Sequence, residues 1–222
     1  ASGVFEYAID LRVTAPPEGT EPLNDTGIDW CADGTQNFLA CPVDGYPWQD
    51  AQDGRDAHQN EDSDGHAGFS FTKLDGNGNP LAASATSWSC VRDNVTGLTW
   101  EVKTDDGGLR DKGWSYTWYN PDATANGGFA GYQNGGSCSG SACDTHAFAQ
   151  AVNSQGLCGA RDWRLPSDQE LLSIVSNDRT YPAIDTAWFP NAQVSWFWSS
   201  SPGAYYSYSA WLVDFGYGYV FG

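Results

Sequence analysis

Apolar and polar side chains alternate over residues 4–14, VFEYAIDLRVT. Val4, Phe5 or Tyr7, Ile9, Leu11 and Val13 mark the two-residue period of a half-buried strand, which Ala15-Pro16-Pro17 ends. Strand signals return at 69–74 (FSFTKL) and 88–92, and the run DGNGNP between them is dense enough in turn formers to reverse the chain. Residues 93–102 then read as a turn feeding a strand that buries Leu98, Trp100 and Val102. The period changes at Thr145: Phe148, Ala151, Val152 and Gln155 recur at helical spacing, and Gly156 supplies the stop. A second helix is signalled by Pro166 and by Ser167 to Glu170, a capping box ahead of Leu171, Leu172, Ile174 and Val175. Glu170 thus has a structural task before any catalytic one. Between these elements, 18–66 and 104–143 are rich in Gly, Asp, Asn and Pro and read as irregular, with WSYTWY at 114–119 fitting strand or loop core.

This order predicts an α+β fold: a small antiparallel sheet, two helices, long irregular loops and an N-terminal strand extension. The expected division is a strand extension over 1–17, an irregular acidic segment with a disulfide over 18–66, and a main domain over 67–222. The aromatic end, 194–222, sets Trp196, Trp198, Trp211 and several tyrosines among Ser and Gly with no Lys, Arg or His. It reads either as sheet core or as a recognition surface, since rigid rings with polar tips give contact area at little entropy cost.

Charge narrows the partners. With 28 acidic against 10 basic residues the chain carries −18, which repels phosphate backbones and anionic membranes and excludes nucleic acid as an expected partner. Polyanionic glycans are disfavoured for the same reason. No apolar run approaches the length of about 20 residues that spans a bilayer, so the chain is not expected to be membrane-embedded. Ala1 at the start and the absence of Met suggest a mature form after signal-peptide removal.

Six cysteines in loop-like surroundings point to disulfides and an oxidising compartment, hence to a secreted or cell-surface protein. Sequence admits 15 connectivities. The one adopted closes two short loops, Cys31–Cys41 and Cys138–Cys143, and leaves Cys90–Cys158 as the long staple. Zinc is the competing use, but no CxxC pair or neighbouring His doublet is present.

Alternate oxygen donors at Asp62 and Asp64, and at Asp75, Asn77 and Asn79, raise calcium as the one candidate cofactor; neither set completes an EF-hand, and both also suit Asx turns. Catalysis is not expected. His58, His66 and His146 are scattered, no GxSxG elbow, phosphate loop or HExxH helix occurs, and Glu101 and Glu170 do not make a glycosidase pair.

Four stretches carry a family resemblance: CVRDNVTGLTWE at 90–101, GLCGARDWRLPS at 156–167 with Glu170-Leu171, FWSSSP at 197–202 and AWLVDF at 210–215. In this order they resemble the Legionella collagen-like adhesin C-terminal domain family, from roughly Asp56 to the end. The resemblance implies a C-type-lectin-like fold, a surface or secreted setting, and ligand binding by a glycan or protein partner in place of chemistry. The C-terminal stretch is also similar to the variable proteins of diversity-generating retroelements. That similarity implies a framework of Trp198, Pro202, Ala210, Trp211, Val213 and Phe215, with Tyr205, Tyr206, Ser207, Tyr208, Ser209, Tyr217 and Tyr219 displayed. The expected ligand-binding residues are Tyr205, Tyr206, Ser207, Tyr208, Tyr217, Tyr219 and Trp196.

Family members typically continue into a further segment with a Val-Arg pair, whereas this sequence stops at Gly222. The expectation is truncation, processing, or a last strand supplied from elsewhere. A second function follows from that: a structural subunit of an extracellular filament, self-associating into fibres as 4–13 adds to a neighbour's sheet. The simpler alternative is that this strand folds back on its own sheet.

Overall fold

The computed structural model describes residues 24–59, 61–203, 206 and 208–222, and the backbone of 11–13. In chain order the elements are β1 (Leu11–Val13), α1 (Asp50–Asp53), α2 (Asp56–Gln59), β2 (Phe71–Leu74), β3 (Cys90–Asp93), β4 (Leu98–Glu101), α3 (Thr145–Gln155), α4 (Asp168–Leu172), β5 (Trp196–Pro202), β6 (Ala210–Asp214) and β7 (Tyr219–Phe221). The fold is α+β with two antiparallel sheets, one ordered β1-β4-β3-β2 and the other β5-β6-β7.

Of the expected strand over 4–14, only Leu11–Val13 lies within the described residues, and it pairs with the chain's own β4, Leu11 opposite Trp100 and Val13 opposite Leu98. The β3–β4 turn is held by Asp93, whose Oδ1 accepts the amides of Val95 and Thr96. Gly97 closes it at φ +77°, a left-handed conformation that a residue with a Cβ adopts only under strain.

Both helix signals are present. Asp144 caps α3 by accepting the amide of Ala147, and Gly156 ends it in the left-handed region. The buried face is Thr145, Phe148 and Val152, while Gln155 is exposed. The capping box of α4 is complete, yet the helix has five residues, so Leu172 is exposed while Ile174 and Val175 turn into the core beyond its end.

One apolar cluster joins the two sheets, bringing Phe71, Val91 and Trp100 against Leu171, Ile174, Phe197, Val213 and Phe215. A second packs Phe148 and Val152 of α3 on Tyr116, Trp163 and the Cys90–Cys158 disulfide. The other disulfides are Cys31–Cys41 and Cys138–Cys143, the pairs named above. The segment expected to be irregular contains the two single-turn helices α1 and α2, too short to leave a periodic signal. It is stitched to the rest: Asn24 Nδ2 donates to buried Asp93 at 2.7 Å, and the Asn177 amide donates to the Thr26 carbonyl at 2.8 Å.

Candidate recognition surface

The stretch 114–119 forms the floor of the site. Its alternate residues Tyr116 and Trp118 are buried, with Tyr116 packed on Phe148 at 4.8 Å between ring centroids. Single bridges at Ser115, Thr117 and Tyr119 keep it extended. The Trp118 indole donates to the Ser199 carbonyl, fastening the stretch to β5. Gly131 lets the next loop lie on Trp118, because a Cβ there would collide with the Trp118 carbonyl and ring.

Against this floor opens a cavity of about 330 Å³ walled by Trp118, Phe129, Tyr132, Trp198, Leu212, Tyr206 and Tyr208. No charged side chain lines it among the described residues. Tyr206 and Tyr208 are 48% and 56% exposed and lie with ring centroids 5.4 Å apart at its mouth. Aromatic faces with hydroxyl tips over a neutral hollow suit stacking and hydrogen bonding to an uncharged partner surface.

A second group of rings runs along β7. The Tyr181 and Tyr217 hydroxyls meet at 2.6 Å, an interaction that pushes the Tyr181 phenol above its ordinary range. Tyr217 stacks on Tyr219 at 5.7 Å, and Phe221 meets Trp196 at 4.3 Å. Register links this strip to the cavity: Trp198, Leu212 and Phe221 stand directly opposite one another across β5, β6 and β7, as do Trp196, Asp214 and Tyr219. Both rows therefore share one sheet face.

Of the expected binding residues, Tyr206 and Tyr208 border the cavity, and Tyr217, Tyr219 and Trp196 belong to the β7 strip. Tyr205 and Ser207 lie outside the described residues. Trp198, Ala210, Val213 and Phe215 are buried as a framework would be. The walls supplied by Phe129 and Tyr132 were not read from sequence, since they sit in a glycine-rich run with no period. The alternation within WSYTWY was the available signal for Trp118.

The motif residues are structural. Trp163 donates to the Leu157 carbonyl from a buried position, and Arg164 grips both oxygens of Glu170 at 2.9 and 2.7 Å. The Pro166 carbonyl accepts from Ser200 of β5. Glu101 forms an ion pair with Lys103, both buried.

The expected cation residues do not gather into one group. Asp75 Oδ1 accepts the amides of Asn77 and Asn79 and its Oδ2 accepts from the Asn79 side chain, so this loop is an Asx turn. Asp62 accepts the Ala67 amide, and Asp64 accepts from Ser70. Among the described residues one carboxylate group converges, Asp25, Asp50 and Asp56, and no sequence spacing announced it. His66 pairs with Asp178 at 3.0 Å, and His146 shares a hydrogen bond with Gln150. No helix among the described residues is long and apolar enough to cross a membrane.

No curated protein and no solved structure matches the chain. The profile of the Lcl C-terminal domain matches residues 89–222, the span that holds β3, β4, α3, α4 and the whole second sheet with its aromatic face. The scaffold just described, with Arg164 locked to Glu170 and the tryptophan-bearing strands β4, β5 and β6 in place, is therefore that domain's, and the chain belongs to the Lcl C-terminal domain family.

Proposed function

We propose that this chain is an extracellular ligand-recognition or adhesion module of C-type-lectin-like fold, binding a neutral glycan or a protein surface and performing no chemistry on it. The observation that carries this reading is the uncharged aromatic cavity with Tyr206 and Tyr208 at its mouth. Membership of a family named for an adhesin and three disulfides support an extracellular, adhesive setting. The charge of −18 directs the preference away from anionic partners.

The test is a screen of the protein against immobilised neutral glycans and extracellular matrix proteins, repeated with Tyr206→Ala/Tyr208→Ala. The double variant should lose any binding found while its melting temperature stays within about 1 °C of wild type, as surface truncations do. Binding that survives the double substitution would move the site off this cavity.

One observation favours the filament as a second reading. β1 lies outside the family span and occupies the edge of β4, which lies inside it. The same edge can take that strand from a neighbour by exchange. Negative-stain images and size-exclusion chromatography separate the two readings.

A further inference from the structure

A cavity of about 510 Å³ lies between the acidic segment and the family domain, lined by Asp25, Asp50 and Arg55 on one side and Gln169, Ser173 and Asn177 on the other. Asp25, Asp50 and Asp56 each offer one oxygen, and these oxygens lie within 4.8 Å of one another. Asp56 is 4% exposed, yet its Oδ1 has no hydrogen-bond partner. That oxygen is aimed into the group: a Cβ at Gly54 would meet Asp56 Oδ1, Asp50 Oδ1 and the Asp50 carbonyl together.

An orphaned, buried carboxylate oxygen costs folding free energy unless something polar or cationic faces it. Among the described residues no Lys or Arg forms an ion pair with these three aspartates. The nearby Arg55 is engaged elsewhere, donating to the Gly68 carbonyl and to Gln59.

We propose that Asp25, Asp50 and Asp56 form a calcium site that cross-links the acidic segment, holding Asp25 against α1 and α2. Two oxygens on one calcium ion, each at about 2.4 Å, are at most about 4.8 Å apart, which these oxygens satisfy. The donors are all hard oxygens, which suits calcium and not zinc. The adjoining cavity supplies an entry path and room for the waters that complete a shell of six to eight ligands. The site lies outside residues 89–222, so it belongs to this chain's own N-terminal elaboration and not to the family's matched domain.

Calorimetric titration with calcium chloride and thermal unfolding in EGTA or millimolar calcium test this on wild type, Asp50→Asn, Asp56→Asn and, as a control in the exposed Asx turn, Asp75→Asn. Calcium should bind wild type and Asp75→Asn and raise their melting temperatures. Asp50→Asn and Asp56→Asn should bind at least about tenfold more weakly, since even outer-shell losses cost 10- to 100-fold. In EGTA, Asp56→Asn should melt no lower than wild type, because it removes one charge from the crowd. Absence of calcium binding, an unchanged response in both site variants, or loss of the response in Asp75→Asn overturns the proposal. Should the site variants fail to fold, hydrogen exchange on wild type decides: calcium-dependent protection must fall within 24–68, and protection elsewhere or nowhere refutes it.

Discussion

The indole of Trp198 donates to the backbone carbonyl of Tyr116 at 2.9 Å, and the indole of Trp118 donates to the carbonyl of Ser199, also at 2.9 Å. Each ring thus anchors on the stretch that carries the other, and together they fix the floor of the aromatic cavity. Both indoles are buried with Ala210, against Leu165 and Leu212, so the lock is dry.

Trp198→Phe keeps a ring in the cluster but removes the donor from a buried carbonyl. The expected cost is about 1–3 kcal/mol, read as a shift in the urea midpoint with an unchanged slope. Ligand binding should weaken along with it, because the cavity wall loses its reference. The contrast with the tyrosine pair is the informative part: Tyr206 and Tyr208 should affect binding alone, Trp198 both.

Much of this architecture was legible from local rules. The capping box at Ser167 and Glu170, the Gly156 stop and the Asp93 turn all satisfy their own backbone within a few residues, so sequence spacing reports them directly. Trp198 and Val213 could be placed in the framework through the similarity to the retroelement variable proteins, and both are buried. What sequence could not supply were meetings across long separations. Phe129 and Tyr132 reach the cavity only because a glycine-rich loop folds over Trp118. Asp25 meets Asp50 and Asp56 through a segment whose two helices are a single turn each, below the length at which periodicity shows. Acidic spacing pointed to Asp75, Asn77 and Asn79, where both Asp75 oxygens accept hydrogen bonds from the turn itself.

The pair of Glu101 and Lys103 makes a separate prediction about the core. Their side chains are 0% and 4% exposed, and the Lys103 ammonium also sits over the Phe148 ring at 4.4 Å. Two charges taken out of water balance only each other, so Glu101→Gln strands the ammonium and should cost about 3–5 kcal/mol. The double change Glu101→Leu/Lys103→Met removes both charges while keeping volume, and should be close to neutral or stabilising. Chemical denaturation of the three variants checks this. A double variant as unstable as the single would mean that the pair contributes more than its own compensation.

The last prediction concerns pH and rests on Glu170. Burial alone would raise its carboxyl, but the Arg164 hydrogen bonds, the Ser167 amide and the Arg164 charge outweigh burial and hold it below the usual glutamate range. A carboxylate lowered in the folded state binds its proton less readily than in the unfolded chain. Its contribution to stability is therefore complete above the unfolded value of about 4.3 and fades as pH falls through the lowered folded value. Glu170→Gln should melt below wild type at neutral pH, and the gap should stay level down to about pH 5.5, then narrow in acid as wild type loses the same interaction. Melting curves of both proteins between about pH 3 and 7 give the comparison. A gap that does not change over that range would place the role of Glu170 in its hydrogen-bonding shape, through the cap on α4, and not in its charge against Arg164.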